Sequence, residues 1–157
     1  MKKLFYILAF AALLFLTGCQ ENEPMPHREI PNKLSSQRVL ILTHQSEYVL
    51  QVLTYLEKRA GQVYSVTIDD LSQILEYNFA YYNGVLIIEK LNSAGSAPVL
   101  DKYMQEYSGV NNIVLHGLDN NYTSPYPLSV VTANTQDLSA ETLRGTAERI
   151  YYLLRNK

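Results

Sequence analysis

The sequence predicts a doubly wound α/β sandwich of three layers, a five-stranded parallel sheet with helices on both faces. Three observations carry this. Short apolar runs at 39–42 and 85–88 read as strands covered on both sides, and 112–115 reads as another strand. Between them, apolar residues recur at helical spacing. Gly, Asn, Asp and Pro mark most of the junctions. Strands that alternate with helices imply right-handed crossovers and hence parallel pairing.

The first strand, 39–42, runs into Thr43, His44, Gln45 and Ser46. Ser46 is suited to cap a helix carrying Val49, Val52, Leu53, Leu56 and Ala60 on one face, with Gly61 as its stop. Residues 63–68 alternate and are more polar, as expected for an edge strand. Asp69 and Asp70 can start a helix through Leu71, Ile74, Leu75 and Tyr77. A turn at 82–84 leads to the third strand, 85–88. A Gly/Ser/Asn loop at 90–97 leads to Pro98, which suits a first helical turn. The fourth strand, 112–115, is followed by His116 and Gly117. Pro125 and Pro127 argue against a full helix after it, so the fourth crossover helix is expected to be reduced or absent. A fifth strand at 128–132 precedes a last helix over about 138–155, where Gly145 costs roughly 1 kcal/mol relative to Ala. The most apolar strands are the first and third, which suggests the order 2-1-3-4-5. In such a sheet ligands bind beyond the carboxyl ends of the strands, near the switch between strands 1 and 3.

Composition narrows the function. The chain of 157 residues carries 13 Lys+Arg against 15 Asp+Glu, so it lacks the basic excess that nucleic acid demands. One Cys precludes an internal disulfide. There is no Trp, but there are 13 Tyr. Tyr77, Tyr81, Tyr82, Tyr103, Tyr107, Tyr122 and Tyr126 would supply contact surface for a protein partner if exposed.

The chain divides into a leader (1–18), a lipidated Cys19 with a flexible tether (19–36), and one folded domain (37–157). Lys2 and Lys3 precede an apolar run at 4–16, too short to span a bilayer comfortably. It ends in Leu16, Thr17, Gly18 and Cys19, which resembles the lipobox of bacterial lipoproteins. That resemblance implies cleavage before Cys19, lipidation of that Cys with several acyl chains of the palmitate type, and a membrane anchor. Gln20 rather than Asp at the next position implies the outer membrane, on its periplasmic or surface face. Pro24, Pro26 and Pro31 with many polar neighbours read as an extended tether.

The body, 37–154, resembles a flavodoxin-like domain. The likeness lies in the first strand–helix unit, in Tyr81, Tyr82, Asn83 and Gly84 running into the third strand, and in the helix from Pro98. Such domains hold the FMN phosphate in a Ser/Thr-x-Thr-Gly-x-Thr loop after strand 1, where hydroxyls and helix-start amides cradle the anion. The six positions here are Thr43, His44, Gln45, Ser46, Glu47 and Tyr48, of which only Thr43 fits. Glu47 puts a carboxylate where phosphate would sit, which favours the helix and opposes the ligand. Gly117, Leu118 and Asp119, followed by Tyr122, faintly resemble the second flavin loop.

The ligand-facing rim is therefore expected to hold Thr43, His44, Gln45, Ser46, Glu89, His116, Asp119 and Tyr122. The histidines and carboxylates are scattered singly, without metal-ligand spacing, so no metal is expected. Ser46 lacks a nucleophile elbow and reads as a cap; no catalytic residue is assigned. The expected function is a lipid-anchored, non-catalytic binding or accessory module of the cell envelope without cofactor. The alternative is an FMN-binding electron-transfer protein or oxidoreductase.

Overall fold

A computed structural model describes residues 23–107, 109–123 and 126–157. The expected leader and Cys19 lie outside the described residues. The elements in chain order are β1 (Glu23–Pro24), β2 (Arg28–Ile30), β3 (Arg38–Gln45), α1 (Glu47–Ala60), β4 (Ser65–Asp70), two 3-10 turns (Leu71–Glu76 and Phe79–Tyr81), β5 (Gly84–Lys90), α2 (Pro98–Glu106), β6 (Ile113–Leu118), β7 (Ser129–Ala133) and α3 (Ala140–Arg155).

The fold is mixed α/β around a mostly parallel sheet. Among the described residues that sheet has seven strands where five are expected, in the order β2-β4-β3-β5-β6-β7, with β1 paired to β3. Neighbours from β4 to β7 are parallel, and β1 and β2 are the antiparallel additions.

Both additions come from the stretch expected to be a free tether. β2 lies along β4, matching Arg28 with Ile68 and Ile30 with Val66, so β4 is not the edge its polarity suggests. β1 sits against the end of β3, with Glu23 opposite Gln45 and Pro24 opposite His44. Between them Met25 is buried and joins the core beneath α1. Its amide donates to Asp70 Oδ2 at 2.8 Å, and Arg28 Nη2 meets Glu57 Oε1 at 2.7 Å. Two apolar side chains among prolines and charges are a faint local signal, and the pairing partners are about 20–40 residues away, so the segment gains strand structure only from tertiary pairing.

Alternation along the strands splits the core in two. Val39, Ile41, Val66, Ile68, Leu86, Ile88 and Val114 face α1 and α3. Leu40, Leu42, Val85, Ile87, Ile113 and Leu115 face α2 and the 3-10 turns. Each buried Leu, Ile or Val stabilises by about 1.5–3 kcal/mol relative to exposure. The helical phase expected of α1 is met: Val49, Val52, Leu53, Leu56 and Ala60 are all buried. The helix expected after Asp70 is instead a 3-10 turn of six residues, capped by the Asp70 side chain on Ser72 N. No helix lies between β6 and β7 among the described residues, in keeping with the prolines there. No helix among the described residues is long and apolar enough to cross a membrane.

Candidate functional site

The predicted rim divides into three environments. The first is the end of β3. The strand continues through His44 and Gln45 because β1 pairs with them, so only Ser46 separates strand from helix. Helix α1 therefore does not open directly after residue 43. Thr43 is buried and its hydroxyl donates to His44 O at 3.0 Å. His44 Nδ1 lies 3.1 Å from Asp70 Oδ2, and Gln45 Nε2 donates to Glu23 Oε2 at 3.2 Å. Ser46 accepts from Val49 N at 3.3 Å as the N-cap. Glu47 is engaged by Gln51, one turn on, at 3.3 Å. Where the resemblance implies a phosphate loop, this chain has a paired strand and a self-capped helix, which do not fit that cradle.

Burial pushes the Asp70 carboxyl up. The Ser72 hydroxyl, the amides of Met25 and Ser72, and His44 outweigh it and bring the pKa to about 2. Asp69 beside it is also held low. Burial opposes the shift there too, and Tyr77, the Asp70 amide and His27 overcome it. His27 Nδ1 stands 3.0 Å from Asp69 Oδ2. Two neighbouring His–Asp contacts thus fasten the N-terminal segment and β3 to the end of β4. Among the described residues no group of three His, Cys, Asp or Glu could hold a metal ion.

The second environment is internal. Glu89 and His116 are expected just past their strands, but β5 runs to Lys90 and β6 to Leu118, and both side chains are buried. Glu89 accepts from Val99 N at 2.7 Å and Leu100 N at 3.1 Å. It thereby caps α2, whose N-cap residue, Ala97, has no side-chain acceptor. Burial raises its pKa, and the two amides hold part of that rise back. His116 lies on the opposite face of the sheet. Its Nδ1 is 2.8 Å from Val131 O, and its Nε2 is 3.0 Å from the Tyr48 hydroxyl. A carbonyl can only accept, so Nδ1 carries the proton and Tyr48 donates to Nε2. Burial pushes the His116 pKa down to about 4, leaving it neutral. Neither residue is on the rim.

The third environment is an open cleft of about 800 Å³ at the carboxyl ends of β5, β6 and β7. Asp119 is its hub. Its backbone turns into the left-handed region at φ 66, and its amide donates to Ala133 O at 2.9 Å. Its Oδ1 accepts from Thr135 N at 2.9 Å and Thr135 Oγ1 at 2.6 Å. Lys90 Nζ stands 3.7 Å from Oδ2, with most of the lysine side chain in solvent. Partial burial pushes the Asp119 carboxyl up, but the Thr135 hydrogen bonds and Lys90 prevail and keep it below the ordinary Asp range. Asn120, Asn121, Asn134 and Gln136 supply amides around this pair.

The wall beyond is braced. Thr123 N donates to Gly95 O at 2.9 Å, Thr123 Oγ1 to Ala94 O at 2.6 Å and Asn120 Nδ2 to Asn92 O at 2.8 Å. Tyr122 packs against the α2-side core, with its hydroxyl 3.5 Å from Asp101. Of the rim residues expected from sequence, only Asp119 lines this cleft. Lys90, Thr132, Asn134, Thr135 and Gln136 were missed. They follow strands and are polar, but only the sheet order makes them neighbours. Chemically the cleft offers one carboxylate, one amine and several neutral donors and acceptors, suited to holding a polar, hydroxyl-rich group.

Of the tyrosines expected to form a contact surface, Tyr103 is buried; Tyr81 and Tyr107 are exposed. Tyr103 stacks between Phe79 and Tyr107, at centroid distances of 4.2 and 4.6 Å.

Fold and site together define a doubly wound α/β protein with a polar cleft on the carboxyl edge of its sheet. No protein-family model matches the chain, and no curated protein matches it. Among solved structures it is similar to Smu.1420 from Streptococcus mutans UA159, with 8% identity, 77% of this chain and 100% of that one covered, and a TM-score of 0.47. It is also similar to general stress protein 14 from Treponema denticola, solved in complex with FMN (11% identity, 76% and 98% covered, TM-score 0.45). A third is an oxidoreductase from Corynebacterium diphtheriae (8% identity, 77% and 98% covered, TM-score 0.44).

Proposed function

We propose that this chain is a lipid-anchored, non-catalytic binding module of the cell envelope, built on a flavodoxin-like sheet that works without flavin. Cys19 is the anchor in this reading, and the cleft around Asp119 and Lys90 is the ligand site. The observation that carries it is that each helix start beside the switch point already holds a side-chain oxygen of the chain itself. Ser46 caps α1, and Glu89 takes the first amides of α2. A phosphate arriving there would have to displace the chain's own oxygens, one set of them a buried carboxylate. A larger set of solvent-open polar residues lines the cleft around Asp119.

The test is a visible spectrum of the purified full chain followed by titration with FMN. A colourless protein with no saturable FMN binding supports the reading. Saturable binding that is lost on changing Thr43 or His44 would establish the alternative, an FMN-binding electron-transfer protein or oxidoreductase. Palmitate labelling of the chain, with Cys19→Ala as control, tests the anchor. Incorporation that survives the substitution would refute it.

A further inference from the structure

The N-terminal strand fixes how the domain is held. β1 runs antiparallel to β3, with Glu23 opposite the last strand residue, Gln45. The first described residue, Glu23, therefore stands at the carboxyl edge of the sheet. Four residues of advance separate Cys19 from Glu23. At full extension that is about 14 Å, whatever path the chain takes. The headgroup region on one side of a bilayer is itself roughly 5–8 Å deep.

Slack cannot come from the segment after Glu23, because it is bound to the body. Met25 is buried and its amide is held by Asp70; His27 meets Asp69, and Arg28 pairs with Glu57. From these constraints we propose that the carboxyl edge of the sheet faces and rests against the bilayer, so that the Asp119 cleft opens onto the lipid headgroups. This rests on the lipid-anchor reading of Cys19 above.

The two ends of the sheet differ in surface chemistry. The loops on this edge mix neutral groups such as Gln45 and Gln136 with the charges of Glu47, Lys90, Asp119 and Asp137, all of which a hydrated headgroup layer can satisfy. The largest exposed aromatic side chains lie at the other end. Tyr81 precedes β5, Tyr107 follows α2, and Tyr152 stands near the end of α3; they are 71%, 45% and 67% exposed. That end points away from the membrane.

The experiment uses the full lipidated chain in phosphatidylcholine vesicles containing a lipid with a quencher on its headgroup. Single reporter cysteines are introduced at the carboxyl edge (Ser93→Cys, Gln136→Cys) and at the amino end (Tyr81→Cys, Tyr152→Cys) and labelled with a small fluorophore. The edge labels are expected to be quenched several-fold more than the amino-end labels. Inserting a long Gly/Ser segment after Gln20 is expected to bring the two sets close to equality. Equal quenching without the insertion, or stronger quenching at the amino end, overturns the orientation while leaving the anchor intact. A difference that survives the long insertion overturns the short link as its cause. A parent chain that does not float with the vesicles, or a Cys19→Ala chain that floats as well as the parent, overturns the anchor and this proposal together.

Discussion

The Tyr48 hydroxyl lies 3.0 Å from His116 Nε2, joining the first turn of α1 to β6, the strand beside edge strand β7. With Val131 O on the other nitrogen, the imidazole has both its hydrogen bonds and no solvent. Tyr48→Phe leaves a buried ring nitrogen without its donor. The expected loss is about 1–3 kcal/mol in folding stability, measured by urea unfolding at neutral pH. An unchanged midpoint would contradict the hydrogen-bond assignment.

The same histidine makes stability depend on pH. Its folded pKa of about 4 lies below the ordinary 6.5, so between these values the unfolded chain binds a proton that the folded chain refuses. The stabilisation is complete above pH 6.5 and is lost as pH falls toward 4, to a total on the order of 3 kcal/mol. The lowered carboxylates act in the same direction but further down; for Asp70 the window lies between its ordinary 3.8 and about 2. His116→Gln should lower stability at pH 7 and flatten the slope between pH 6.5 and 4. Thermal melts across that range read it directly, and a slope equal to the parent's would count against the buried neutral histidine.

Glu89 has the opposite sign. Its pKa is raised, so its contribution is fully present below the ordinary 4.5 and diminishes as pH rises through the folded value. Glu89→Ala removes the only side-chain cap seen on α2 and should cost about 1–3 kcal/mol, because Val99 N and Leu100 N lose their acceptor. Glu89→Gln keeps one carbonyl oxygen and should cost less. Hydrogen exchange at residues 99 and 100 is the readout; exchange unchanged in Glu89→Ala would show that the carboxylate is not the cap.

Two glycines should respond in opposite ways. Gly95 has φ +76, and a Cβ there would collide with Asn121 O and lie 2.7 Å from Thr123 Oγ1. Gly95→Ala should cost at least about 1–3 kcal/mol and loosen the cleft wall. Gly145 sits inside α3 with open space around its Cβ position. Gly145→Ala should stabilise by about 1 kcal/mol. Melting temperatures of the two variants provide the check, and a shift of the same sign in both would contradict it.

Met25 tests whether the N-terminal segment belongs to the fold. It is buried among α1-side core residues, so Met25→Ala should cost about 2–5 kcal/mol. It should also make residues 23–30 susceptible to protease before the rest of the domain unfolds. A cost near zero would mean that the segment is held by its polar contacts alone.

The sequence by itself determined the alternating α/β pattern, the apolar faces of α1 and α3, the Ser46 cap and the Pro98 helix start. These depend on periods of two and of about three and a half residues, on capping chemistry and on a fixed proline φ, all of which act over a few positions. It misplaced Glu89 and His116 because strand ends depend on what pairs beside them. β5 and β6 continue together to Lys90 and Leu118, carrying both side chains into the interior. It also read 23–30 as a tether, because a short polar strand becomes a strand only where an unsatisfied sheet edge awaits it. The cleft was legible only at Asp119, since its lining residues from β5, β6 and β7 become neighbours through the strand order alone. Tertiary structure thus decided which polar side chains serve the fold and which remain open to a ligand, because burial and hydrogen bonding over long sequence distances settle that division.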